Sequence, residues 1–190
     1  MTKLSSNPKV SVIMSVYNAE QTLREAIDSI LKQTYTNWEF VICDDCSSDG
    51  SYAIMQEYEV KYPGKFILLH NTENKRLSHS LNRCLKCASG ELIARMDADD
   101  ISVESRFEKQ VDYLLSHPES MVVGTTMRRF DSNGLHDVVK IPEYPDKNLL
   151  KKGVPFCHAT IMMRKEAYDA VNGYKESNMT IRSQDYDMWF

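Results

Sequence analysis

Four times in the first 116 residues, an apolar run rich in β-branched residues is followed by a stretch with helical spacing of its apolar side chains. This alternation restricts the fold more than any other feature of the chain. The runs are Val10–Val16, 38–43, Phe66–His70 and 91–96, and the helical stretches are 20–33, 51–62, 78–88 and 103–116. Within 20–33 the residues Leu23, Ala26, Ile27, Ile30 and Leu31 recur at the three- and four-residue steps of a one-sided helix. Ser47, Ser48, Asp49 and Gly50 supply a turn and capping side chains before the second helix, and His117-Pro118 stops the fourth. Repeated strand–helix units predict an α/β fold, a mostly parallel sheet flanked by helices. Ligands of such sheets bind beyond the C-terminal ends of the strands.

Acidic residues gather at that edge. Asp44-Asp45 ends the second strand, and Arg95-Met96-Asp97-Ala98-Asp99-Asp100 ends the fourth. Carboxylates this close repel each other and stay ionised together only with help from solvent or a cation. Asp97 and Asp99 are two residues apart, so an extended backbone would point both the same way. Paired oxygens of this kind suit Mg²⁺ or Mn²⁺, which arrives with substrate phosphates. An isolated D-x-D reads as a solvated acidic turn; the second acidic strand end upstream favours the functional reading.

Other classes recede. The chain of 190 residues has a formal charge of −4 and no basic block that would track nucleic-acid phosphates. Its apolar runs are too short to span a bilayer, and the first nine residues show no signal-peptide pattern, so a cytoplasmic protein is expected. The five cysteines are odd in number, which argues against a closed disulfide framework. Cys43-x-x-Cys46 and Cys84-x-x-Cys87 raise a structural zinc site, but Cys43 ends a strand pattern, the second pair lies in a helical one, and neither pair encloses a Gly-rich turn. Free thiols are the default.

Beyond Met121 the pattern loosens. A strand is predicted over 121–130, a loop with one short helix over 140–155, a strand over 158–163 and a short helix over 165–171. The final residues, 185–190, read as the start of an amphipathic helix with no stop signal, so truncation there is expected, with a docked natural terminus as the alternative.

In order along the chain stand Val10-Ser11-Val12-Ile13-Met14-Ser15-Val16-Tyr17-Asn18-Ala19-Glu20, Ile42-Cys43-Asp44-Asp45-Cys46-Ser47-Ser48-Asp49-Gly50-Ser51, Ala94-Arg95-Met96-Asp97-Ala98-Asp99-Asp100 and Gln184-Asp185-Tyr186-Asp187-Met188-Trp189. With these blocks the sequence resembles the family 2 glycosyltransferases of the GT-A fold. The resemblance implies a Rossmann-like sheet and one catalytic domain over 1–190. Residues 1–100 would form its nucleotide-binding half and 101–190 the start of its acceptor half.

The resemblance also implies roles. Ser15, Val16, Tyr17 and Asn18 would hold the nucleotide, with Tyr17 stacking near a uracil, and Glu20, Asp44 and Ala98 would lie at the donor. Asp45 would accept the imide N–H of the base, which favours uracil, thymine or guanine over cytosine. Asp97 would serve the ribose side and Asp99 the divalent cation, Mn²⁺ or Mg²⁺, that bridges to the diphosphate. Asp97 and His158 are the further metal candidates, although His158 read from the residues alone is a hydrogen-bonded core histidine. Asp185 would be the base of an inverting transfer from a nucleotide-diphospho-sugar, a UDP-sugar, to a glycan or lipid-linked glycan acceptor in capsule or lipopolysaccharide assembly. Residues beyond Phe190 would carry acceptor contacts and any peripheral membrane association. Three positions depart from the family pattern. Gln184 replaces an acid, and Cys46 and Arg76 stand where glycines are usual; Arg76 either reaches the diphosphate or is a solvated surface residue.

Three rivals remain. A haloacid-dehalogenase-type phosphatase carries D-x-D on its first strand and wants Thr or Val where Ile101 stands. A nucleotidyltransferase wants a Gly- and Lys/Arg-rich first loop, which Ser15-Val16-Tyr17-Asn18 does not offer. A nucleotide-sugar-binding domain without catalysis is opposed by the presence of Asp97, Asp99 and Asp185.

Overall fold

The computed structural model describes residues 2–145, 148 and 156–176. Its strands are β1 (Val10–Val16), β2 (Trp38–Asp44), β3 (Phe66–His70), β4 (Leu92–Arg95), β5 (Val122–Val123), β6 (Met127–Asp131), β7 (Gly134–Val139) and β8 (Met162–Arg164). Its helices are α1 (Leu23–Leu31), α2 (Ser51–Lys61), α3 (Arg76–Cys87), α4 (Arg106–Ser116) and α5 (Lys165–Ala170), with a 3₁₀ turn at His158–Thr160.

Six strands form one sheet in the order β3-β2-β1-β4-β8-β5. β1 to β4 run parallel, and β8 is antiparallel to both β4 and β5. β1 and β2 are central and covered on both faces, which is why they read as nearly unbroken apolar runs. Alternate residues of β1 serve the two layers. Val10, Val12, Met14 and Val16 pack with α1, α2 and α4 through Leu23, Ile27, Met55 and Phe107, while Ile13 packs with α3 and α5 through Leu81 and Tyr168.

At the N-terminal edge the buried Glu39 carboxylate ties three strand starts together, accepting from Ser11 Oγ at 2.5 Å and Ser89 N at 2.7 Å and pairing with Lys9 Nζ at 2.5 Å. The register sets Val16 beside Asp44 and Ile13 beside Arg95. The ends of β1, β2 and β4 therefore lie together at the opposite edge.

The second half differs from the sequence reading. The strand expected over 121–130 divides into β5, which joins the sheet, and β6, which leaves it to form a separate hairpin with β7. The strand expected over 158–163 begins as a 3₁₀ turn, and the strand itself starts only at Met162.

Candidate functional site

β1 delivers the chain to a cleft of ≈ 450 Å³ at the C-terminal edge of the sheet. Its walls include Ser15, Tyr17, Asn18 and Glu20 from the β1 side, Asp49 from the loop after β2, and Asp97, Ala98 and Asp99 from the turn after β4. Seven of the residues expected at the donor thus share one wall system. Val16, Asp44, Asp45, Arg76 and His158 lie outside that lining. Tyr17 is 53% exposed, so its ring is available as a flat face.

The loops after β1 and β2 are stitched to each other. Asn18 takes a positive φ of 50°, its N–H donates to Ser47 Oγ at 3.0 Å, and its Oδ1 accepts from Ser48 N at 2.8 Å. Glu20 Oε2 accepts from Gly50 N at 2.7 Å, and Glu20 N donates to Asp49 Oδ2 at 3.1 Å. Gly50 permits this approach, since a Cβ there would stand 2.9 Å from Glu20 Oε2. The side chains of Asn18 and Glu20 are therefore engaged in holding the second loop in place.

The two aspartates at the end of β2 have separate surroundings. Asp44 is fully buried; its Oδ2 meets His70 Nδ1 at 3.0 Å and accepts from Ser47 N at 3.1 Å, while its Oδ1 has no hydrogen-bond partner. Asp45, 2% exposed, accepts at Oδ1 from Asn71 Nδ2 at 2.5 Å and Lys75 N at 2.8 Å, and at Oδ2 from Arg76 N at 2.7 Å. It thus caps the start of α3, where unpaired backbone N–H groups attract a carboxylate. Asn71 is held in turn by Ser80 Oγ at 2.9 Å and by Arg83 Nη1.

Cys46 and Arg76, the two positions where the resemblance expects glycine, have φ values of 64° and 71°. Both lie in the left-handed region, where glycine costs least. Arg76 opens α3, and its backbone N–H is the group that Asp45 holds.

β4 ends at Arg95, and Asp97 to Asp100 form a turn. The extended backbone assumed for Asp97 and Asp99 is therefore not present: pairing ends before the acidic residues, and a turn sets their directions. Ala98 O accepts from Thr22 Oγ1 at 2.9 Å, which fixes the turn to the start of α1. Asp97 contacts the buried Arg95 guanidinium, and Asp99 is exposed. Burial first, then the charges of Asp97 and Asp99, raise the Asp100 carboxyl above the ordinary carboxylate range, opposed by Arg95 and Arg106.

His158 is 8% exposed and its Nε2 lies 2.8 Å from the Tyr174 hydroxyl. Burial, and then the charge of Arg95, lower its pKa to about 3, so the ring is neutral near pH 7. Asp185 and Gln184 lie outside the described residues.

Arg95, Asn71, Arg106 and Thr22 were missed in the sequence reading. Arg95 alone had a usable signal, a charged residue closing an otherwise apolar strand.

The turn fits a hard divalent cation by its chemistry: three carboxylates crowd four positions, and burial together with the charges of Asp97 and Asp99 raises the carboxyl of Asp100. Among the described residues no group of three His, Cys, Asp or Glu side chains converges as a ready cation cage, so Asp97, Asp99 and His158 do not form one. An exposed Asp99 beside Asp97 matches instead a cation that keeps water and ligand oxygens in its shell.

The glycosyl transferase family 2 profile matches residues 11–171. EpsE of Bacillus subtilis (strain 168), a protein named as a glycosyltransferase, is 48% identical over 186 residues, covering 98% of this chain and 67% of its own length. The Escherichia coli UDP-Glc:alpha-D-GlcNAc-diphosphoundecaprenol beta-1,3-glucosyltransferase WfgD is 32% identical over 180 residues, covering 95% of this chain and 68% of its own length. Among solved structures, Staphylococcus aureus TarS 1-349 in complex with UDP superposes with a TM-score of 0.75 at 22% identity, covering 95% of this chain and 53% of that one. The mannosyltransferase PcManGT of Pyrobaculum calidifontis, in complex with GDP-Man and Mn²⁺, gives a TM-score of 0.74 at 22% identity, covering 97% and 51%. The chain thus spans about half the length of these solved structures and about two thirds of these curated relatives.

Proposed function

The chain belongs to glycosyl transferase family 2, and on that premise we propose that it binds a UDP-sugar at the β1–β4 edge and transfers the sugar, with inversion, to an acceptor hydroxyl in surface-polysaccharide assembly. The observation that carries this reading is the cleft lined by both the exposed Tyr17 and the Asp97-Ala98-Asp99 turn. A flat ring suits a base, and an acidic turn suits a cation that arrives with a diphosphate. The nucleotide in the TarS structure and the UDP-Glc in the name of WfgD support uridine.

Asp45 is assigned as the reader of one N–H, although it is 2% exposed and lies outside the cleft lining. Its Oδ1 takes two donors and its Oδ2 takes one, so one acceptor position is left. Uracil presents one ring N–H, whereas cytosine presents none. Asp97 serves the ribose side. Asp99, with Asp97 beside it, would hold Mn²⁺ or Mg²⁺, which would supply charge neutralisation for the departing diphosphate.

In this reading Asp185 takes the proton of the acceptor hydroxyl while its oxygen attacks the anomeric carbon from the face opposite the diphosphate. A single displacement inverts the centre and needs no covalent nucleophile. The acceptor is a glycan or lipid-linked glycan, reached from the cytoplasm; among the described residues no helix is long and apolar enough to cross a membrane.

The test is calorimetric titration of UDP, GDP and CDP with and without Mn²⁺. Tightest binding is expected for UDP with Mn²⁺. Equal affinity for UDP and CDP, or binding indifferent to Mn²⁺, overturns the reading.

A further inference from the structure

Beneath the acidic turn lie two buried cations. Arg95, the last residue of β4, is 3% exposed. Its guanidinium pairs with Asp97 Oδ2 through Nη1, and its Nε has no hydrogen-bond partner. Arg106, on α4, donates from Nη2 to Arg95 O at 2.9 Å and to Ile161 O at 3.1 Å, and from Nε to Gln110 Oε1 at 3.1 Å. Its hydrogen bonds explain its place as packing. Those of Arg95 do not.

A buried guanidinium with incomplete partners is expensive, and an apolar side chain of the same volume would fill the space with less penalty. What Arg95 has instead is a carboxylate of the cleft wall as its ion-pair partner. That contact engages Oδ2 of Asp97, a residue that lines the cleft. It also offsets negative charge where Asp97, Asp99 and Asp100 are crowded together.

We propose that Arg95 is a positioning residue that pins Asp97 and tunes the charge of the turn, so that the turn takes a divalent cation together with a diphosphate rather than the cation alone. The inference rests on the donor reading above. The charges give its sign. With Arg95 and Arg106 set against three carboxylates, the turn and its support carry about one net negative charge, a weak attractor for a bare divalent ion. Removing the Arg95 charge doubles that attraction and adds repulsion toward an incoming diphosphate. Affinity for the bare ion should rise while affinity for the nucleotide with the ion falls. A side chain that only filled space would not move the two in opposite directions.

The experiment compares the whole chain with Arg95→Gln and Arg95→Lys. MnCl₂ is titrated alone and followed by the electron paramagnetic resonance of the free ion; UDP is titrated by calorimetry in saturating Mn²⁺. For Arg95→Gln, bare Mn²⁺ should bind about tenfold tighter and UDP with Mn²⁺ about tenfold weaker, the size of effect expected from one charge in a partly screened interior. Arg95→Lys keeps the charge and loses the planar fork. It should match wild type for bare Mn²⁺ and bind UDP with Mn²⁺ roughly threefold weaker.

Bare Mn²⁺ affinity that is unchanged or lower in a cooperatively melting Arg95→Gln overturns the proposal. If Arg95→Gln does not fold, Arg95→Lys decides: wild-type affinity for UDP with Mn²⁺ overturns the positioning role, and a loss confined to UDP upholds it. Failure of the donor reading looks different, because wild type then binds no UDP, while the bare-Mn²⁺ comparison still tests Arg95.

Discussion

Asp99 and Asp45 carry the same functional group in opposite settings. Asp99 is exposed on a turn, whereas Asp45 is buried and accepts three donors. Their substitutions should therefore differ in kind. Asp99→Ala should leave the melting temperature unchanged and abolish Mn²⁺-dependent UDP binding, read by calorimetry; retained metal dependence would remove Asp99 from the cation site. Asp45→Ala should do two things at once. It strips α3 of its carboxylate cap and removes one of the partners of Asn71, at a stability cost of about 1.5–3 kcal/mol, the usual worth of hydrogen bonds to a charged group. In the same variant UDP should bind more weakly by a similar amount, and the preference for UDP over CDP should vanish. A destabilised Asp45→Ala that still discriminates the two bases would make Asp45 a helix cap only.

At the scale of elements, the site depends on three strand ends meeting at one edge. Gly90 secures this from below. A Cβ there would lie 2.5 Å from Lys9 O and 2.7 Å from Ser11 N, both backbone atoms beside the start of β1. Gly90→Ala should therefore force β1 and β4 apart and cost about 1–3 kcal/mol in urea unfolding, the range for overpacking a rigid site; wild-type stability would mean the edge yields freely. The elements at this edge were legible in the sequence because their signals are local: apolar runs, helical spacing and caps. The β6–β7 hairpin was not. Most of its residues are exposed and follow no clean alternation. Its one available sign was Asn133-Gly134, a dipeptide typical of tight hairpin turns. The supports of the site were hidden for another reason. Asn71 meets Asp45 across 26 residues and Thr22 meets Ala98 across 76, contacts that only the folded sheet brings together. The left-handed residues Cys46 and Arg76 stood out only against the glycines of the resembling family.

Across the whole molecule, the balance of buried charge makes stability depend on pH, and His158 is the clearest source. Its folded pKa is about 3, lowered first by burial and then by Arg95. In the unfolded chain a histidine titrates near pH ~6.5. Between these values the unfolded state binds one proton more than the folded state. Stability is therefore full above about pH 6.5 and falls as pH drops toward 3, by up to roughly 1.4 kcal/mol per pH unit for this one group. Glu39 acts lower on the scale. Burial favours its neutral form, but Lys9, Ser11 and Ser89 outweigh it and lower the pKa, so its contribution is present above the ordinary glutamate value of about 4.3 and is lost below it. The window from about pH 4.5 to 6.5 thus isolates His158 from Glu39. Urea unfolding across that window, without divalent cations, should show declining stability in the wild type. His158→Gln keeps a polar side chain near the Tyr174 hydroxyl but cannot be protonated, so its decline should be shallower by about one proton's worth of slope. Identical slopes in the two proteins would mean that the folded protein accommodates the imidazolium, and that Arg95 and burial do not keep this ring neutral.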